Sequence, residues 1–248
     1  MKKIFMLLAI LIANFGAFAQ NTDSRFYELR IYYTENGRMD ALIQRFTNHT
    51  TKLFEKHGMT NVGYWLATAD PNKMLYILSY PNREARDASW KAFGADPEWK
   101  KVREESEKDG KIVAKVESIY MNTTDFSMKV KKKNIKNPPR TFELRTYYCL
   151  PNRLPNILAR FKNHTIKLFE KHGMTNIAYW TTVEKDGQQA KLVYILAHKS
   201  EEAGKASFDT FRVDPEWIKV RDDSEKDGKI VEKVESVYMK PLEISKIK

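Results

Sequence analysis

The residues of this chain best equipped for chemistry occur in pairs. His49 follows Phe46 by three positions and precedes Leu53 by four, and His164 stands in the same relation to Phe161 and Leu168. That spacing places each imidazole on the apolar face of an amphipathic helix, where it could act as base, ligand or hydrogen-bond donor near neutral pH. It suits equally a core histidine bonded to backbone or to a strand. Glu28, Arg30 and Tyr32 alternate along "FYELRIYY", and Glu143, Arg145 and Tyr147 along "TFELRTYY". Side chains alternate across a strand. If Leu29, Ile31 and Leu144 face helices, the acid, base and phenol of both copies point into a common interior and can orient an anionic or carbonyl-bearing ligand. The structural alternative pairs Glu28 with Arg30 as a bridge. Trp65 and Trp180 could stack on a planar ligand or serve as core. These ten residues form the expected barrel pocket.

Other features point to structure. His57 and His172 each precede the glycine that ends a helix, where a histidine complements the helix dipole and meets the last carbonyls. No histidine or carboxylate has the spacing of a zinc-binding HExxH helix, so no metal is expected. Phosphate-binding glycine loops, GxSxG elbows and Cys–His nucleophile pairs are also missing from the sequence, so no familiar catalytic machinery is indicated, and the sequence leaves any cofactor unknown.

The pairs arise because the chain is a tandem duplication. "NHTTKLFEKHGMTN" from Asn48 recurs as "NHTIKLFEKHGMTN" from Asn163 with one change. The repeat keeps an offset of 115 through Trp65 and Trp180, then 118 from "LYILSY" and "VYILAH", because the turn "EKDGQQAK" carries three extra residues. A repeating unit near 100 residues is a domain rather than a solenoid repeat. Within it, "FYELRIYY", "NVGYWLAT", "KMLYILSY" and "GKIVAKVESIYM" read as strands. Met39, Leu42, Ile43, Phe46, Leu53 and Phe54 mark an amphipathic helix ended by Gly58. Asn82 and Asp96 cap two further helices, the second with Pro97 at its first position. The order β-α-β-β-α-α-β is the ferredoxin-like split βαβ arrangement, an α+β fold with helices on one face of an antiparallel sheet. The bare face needs a partner, and the duplication supplies one: two sheets meeting face to face as an α/β barrel. The expected boundaries are domain 1 at 25–121, a basic linker at 122–139 and domain 2 at 140–240.

The motif order "YELR", "LFEKHG", a tryptophan strand and "DPEW" before the closing strand resembles the NIPSNAP family, once per repeat. The resemblance implies the dimeric α/β barrel superfamily, in which two ferredoxin-like units share one barrel. It leaves open whether the repeats pair within one chain, as a monomeric pseudo-dimer, or in a homodimer. Related barrels include monooxygenases, isomerases and haem-degrading enzymes, whereas NIPSNAP proteins are often regarded as noncatalytic. Two readings result: a binding or interaction module, or a cofactor-independent enzyme with its site in the barrel.

Composition narrows the setting. Lys2 and Lys3 followed by an apolar run from Ile4 to Phe18, with Ala17 and Ala19 at small-residue positions, reads as a signal peptide over 1–19 cut before Gln20. The chain is then periplasmic or secreted and crosses no membrane after cleavage. Cys149 is the sole cysteine, so no intramolecular disulfide is available and burial carries the stability. The net charge of +11 is concentrated in the block from Lys129 to Arg140. An exported chain has little access to nucleic acid, and none is expected as a partner. A small planar or anionic ligand is.

Overall fold

The computed structural model describes residues 23–128, 140–185 and 187–248; the expected signal peptide and most of the basic linker lie outside them. The first half runs β1 (Phe26–Thr34), α1 (Met39–Arg45), a π-helical turn (Phe46–Thr50), α2 (Thr51–Lys56), β2 (Thr60–Ala67), β3 (Lys73–Tyr80), α3 (Arg83–Ala95), α4 (Pro97–Ser106) and β4 (Val113–Thr123). The second repeats it as β5 (Thr141–Cys149), α5 (Leu154–Arg160), a π-helical turn (Phe161–Thr165), α6 (Ile166–Lys171), β6 (Thr175–Thr182), β7 (Leu192–His198), α7 (Glu201–Arg212), α8 (Pro215–Ser224) and β8 (Val231–Pro241).

The eight strands close into one antiparallel barrel in the order β1-β3-β2-β8-β5-β7-β6-β4. The repeats therefore pair with each other inside one chain. Each half contributes a four-stranded sheet, and the seams are short: Trp65, Leu66 and Ala67 against Pro241, Lys240 and Met239, and Met121, Asn122 and Thr123 against Thr182, Thr181 and Trp180. Closure removes the exposed strand edges that two open sheets would carry. The first residues of the expected linker are thus strand, and they continue as an arm. Thr124 donates its backbone N–H to the Tyr179 carbonyl at 3.1 Å, and Tyr179 donates its own to Ser127 Oγ at 2.9 Å. Reciprocally, Leu242 donates to the Tyr64 carbonyl at 2.9 Å and Tyr64 to Ser245 Oγ at 3.1 Å. Each half is clasped by the tail of the other.

Three buried clusters result from this layering. One fills the barrel; the other two lie between each sheet's outer face and its helices. The expected caps form: Asn82 Oδ1 accepts from the Ala85 N–H and Asp96 Oδ1 from the Glu98 N–H, both at 2.8 Å. His57 and His172 stand at helix ends and reach across to the caps of α4 and α8, with Nε2 2.7 Å from Asp96 Oδ2 and Asp214 Oδ2. Lys56 and His57 hold the Asp96 carboxyl well below the usual carboxylate range, and Lys171 and His172 do the same for Asp214.

Candidate functional site

The strand alternation is as expected, but its sense is reversed. Leu29, Ile31 and Leu144 point into the barrel, while Glu28, Arg30, Tyr32 and their counterparts Glu143, Arg145 and Tyr147 face the helices. Two sheets meeting face to face bury only apolar side chains economically, so the charged positions go to the side where helices can supply partners. Glu28 is fully buried and saturated. Arg86 on α3 forks onto both carboxylate oxygens at 2.8 and 2.9 Å, Arg30 Nη1 lies at 2.8 Å, and Trp90 Nε1 and Tyr80 OH donate at 2.9 and 3.1 Å. Burial alone would raise the Glu28 pKa; the Arg86 hydrogen bonds and the Arg30 charge outweigh it, and the net shift is downward.

Glu143 has different company. Arg145 Nη1 lies at 2.6 Å, Ser236 Oγ donates at 2.6 Å, and His198 Nε2 sits 3.0 Å from Oε2. Its pKa is also lowered: His198 hydrogen bonding and the Arg145 charge overcome burial. Three aligned positions make the difference, Tyr80 to His198, Arg86 to Gly204 and Trp90 to Phe208, and the last two went unnoticed in the sequence.

The helix histidines do not face inward. His49 and His164 are exposed, because the π-helical turn adds a residue between Phe46 and Leu53. A widened turn rotates the residues beyond it, so Thr50 and Thr165 take the buried positions. Thr50 Oγ1 donates to the Arg45 carbonyl five residues back at 3.1 Å, and Thr51 Oγ1 to the Phe46 carbonyl at 3.1 Å. Thr165 does the same for Arg160 at 3.2 Å; Ile166 replaces the second hydroxyl.

Of the ten candidates, only Trp65 and Trp180 enter the barrel. A bulge between Asn61 and Gly63, and its counterpart between Asn176 and Ala178, resets the alternation so that both rings turn inward. They pack on Phe142 and Tyr27, with centroids 5.9 and 5.6 Å apart, and plug one end of the interior. Trp65 lies over Gly63, where a Cβ would stand 2.2 Å from the ring.

The other end is open. A cavity of about 640 Å³ there has an apolar floor that includes Leu29, Ile31, Ile119, Leu144, Val193 and Val237. Its rim carries Tyr33 and Tyr148, Lys73 and Lys191, Glu117 and Glu235. Each tyrosine lies between two lysines: Lys73 and Lys115 at 5.5 and 5.3 Å from the Tyr33 ring, Lys191 and Lys233 at 5.4 and 5.2 Å from Tyr148. Burial and its bond to Glu235 push the Tyr148 phenol up to about 12. Lys191 is paired with Glu184 at 2.5 Å; Lys73 has no ion-pair partner within 4.0 Å among the described residues. The cavity is also lopsided, since Thr146 and Thr182 stand where the first half has Ile31 and Ala67. Sequence reading missed this rim, although the lysine opening β3 recurs at Lys191 in front of β7. Among the described residues no cluster of His, Cys, Asp or Glu could hold a metal ion.

Comparison with known proteins places this arrangement. The NIPSNAP family profile matches residues 27–128 and 142–246. No curated protein matches the chain. Among solved structures, a provisionally assigned monooxygenase from Fusobacterium nucleatum superposes with a TM-score of 0.58 at 12% identity, covering 90% of this chain and 94% of its own. Another, from Lactobacillus acidophilus, gives 0.55 at 13% over 88% and 93%. An anthrone oxidase-like protein gives 0.59 at 11% over 91% and 95%. These identities establish a shared fold. The profile match spans most of the chain, and the chain belongs to the NIPSNAP family, with one copy of the family's domain in each half.

Proposed function

We propose that this protein is an exported, noncatalytic binding module that holds one small amphiphile in the open end of its barrel. The observation that carries the reading is the lopsided cavity: an apolar floor, a rim with Lys73 outside any ion pair among the described residues, and one wall made more polar by Thr146 and Thr182. Its volume lies within the roughly 300–1,000 Å³ range of small-molecule sites. The floor favours an apolar, flat or extended body, and Lys73, standing among rim charges that are otherwise paired, favours an anionic head. Export rests on the composition of the amino-terminal residues.

The test is a thermal-shift screen of amphiphilic carboxylates against the wild type and Leu144→Trp, which fills the floor. Ligands that raise the melting temperature of the wild type and leave the folded variant unmoved support the site. Equal shifts in both would refute it. The second reading is an oxygenase, isomerase or haem-handling enzyme in the same barrel, favoured by the names of the structures that share the fold. A bound compound recovered chemically altered would put that reading in place of the first.

A further inference from the structure

We propose that the first half carries a second ligand site, separate from the barrel, that takes a small aromatic anion between its sheet and its helices. A cavity of about 260 Å³ opens there, walled by Tyr32, Phe46, Phe54, Phe93 and Trp99. Arg45 lines it with its side chain only 4% exposed. Nη1 is committed to Ser106 Oγ at 3.3 Å and Glu107 Oε1 at 3.1 Å, while Nε is buried and finds no acceptor among the described residues. Arg103 and Lys111 add two more cations to the lining, against the single carboxylate of Glu107.

Packing accounts for the aromatic walls, and Arg45, with its guanidinium 5.5 Å over the Trp99 ring, adds a nearly buried positive charge to them. A guanidinium recognises a carboxylate or sulfonate through charge-assisted, geometrically specific bonds. The walls pack edge to face, with Tyr32 and Phe46 at 85° and Phe46 and Phe54 at 78°, and present apolar ring surface to the cavity. The small volume restricts that ring system to one or two rings. The π-helical turn bears on this as well. It sets Arg45, Phe46 and Thr50 on one buried face, and such turns gather at functional sites.

The second half keeps the same residue at all twelve lining positions. Arg160 repeats the arrangement, with Nη1 on Ser224 and Glu225 at 3.1 and 3.2 Å and Nε again without an acceptor among the described residues. The retention is selective within α3 and α7. Those helices differ at Arg86 and Gly204, Asp87 and Lys205, Trp90 and Phe208, and Lys91 and Asp209, yet both keep the phenylalanine that lines the cavity.

The experiment follows the Trp99 indole N–H resonance, assigned through Trp99→Phe, while 2-naphthoate or its cationic counterpart 2-naphthylmethylammonium is titrated into the protein. Saturable movement with naphthoate, at least roughly tenfold weaker with the cation, is the expected result. The rim variant Arg103→Glu with Lys111→Glu changes exposed positions and should weaken naphthoate by roughly tenfold without altering the fold. Arg45→Met should abolish binding if it folds; the rim variant decides the matter if it does not. Leu144→Trp, which fills the barrel, should leave the Trp99 response unchanged. No Trp99 movement, equal response to both probes, indifference to the rim variant, or loss of the response in the barrel-filled protein would each overturn the site.

Discussion

Glu28 and Glu143 occupy the same place in two copies of one domain and live in different surroundings. Glu28 is held by two arginines, an indole and a phenol; Glu143 by one arginine, a serine and a histidine, with the Tyr238 phenol beside it. Three substitutions make the difference, and they are interlocked. Losing the Arg86 side chain at Gly204 lets the His198 ring come so close that a Cβ at Gly204 would stand 3.0 Å from it. The imidazole takes over one carboxylate oxygen and leaves its own Nδ1 buried without a partner among the described residues. A buried carboxylate thus tolerates a change of partner only when the neighbouring positions change with it.

The largest effect should come from deleting each carboxylate. Glu28→Gln strands two arginines and is expected to cost about 3–5 kcal/mol, whereas Glu143→Gln strands only Arg145 and should cost about 1–3 kcal/mol. Urea unfolding of both variants measures the difference, and equal losses would break the comparison. Next is the interlock. Gly204→Arg alone should destabilise by about 1–3 kcal/mol through overpacking, and adding His198→Tyr should recover part of it. A double-mutant cycle should give a coupling of about 0.5–3 kcal/mol; simple additivity would show that the positions are independent.

The barrel seam offers a smaller contrast. Gly63→Ala drives a Cβ into the Trp65 ring and should cost about 1–3 kcal/mol, while Ala178→Gly in the other half should cost about 0.5–1 kcal/mol through chain entropy. Thermal melts would rank them, and the reverse order would mean that Trp65 has room to move. The acid limb is subtler. Both carboxyls have folded pKa values below the ordinary 4.5, so their contribution is fully present above that value and lost as pH falls through the folded one. Urea midpoints taken downward through the carboxylate range should fall less steeply in either Gln variant than in the wild type.

The duplication, strand order, caps and shared barrel were legible because each rests on local signals: repeats, alternation, Asn82, Asp96 and Pro97. Which face of β1 turned inward was not legible. A strand buried on both sides alternates without declaring its sense, and Leu29 would satisfy either face. Arg86 and Trp90 held the clue, two long donors spaced to cover one buried acid from α3. His49 misled for a different reason. Its spacing to Phe46 and Leu53 assumes an unbroken α-helix, and a π-helical turn is stabilised by bonds five residues apart that periodicity does not register. The adjacent threonines at 50 and 51 were the available hint. The cavity rim depends on the closure of eight strands and became visible only with the barrel assembled.

Ligand in the open end of the barrel can be read by methyl NMR on isoleucine-, leucine- and valine-labelled protein during titration with the strongest carboxylate from the thermal-shift screen. A ligand on the barrel floor should shift the Ile31, Leu144, Val193 and Val237 methyls together and saturably. Shifts confined to methyls outside the barrel, with those four unmoved, would contradict it.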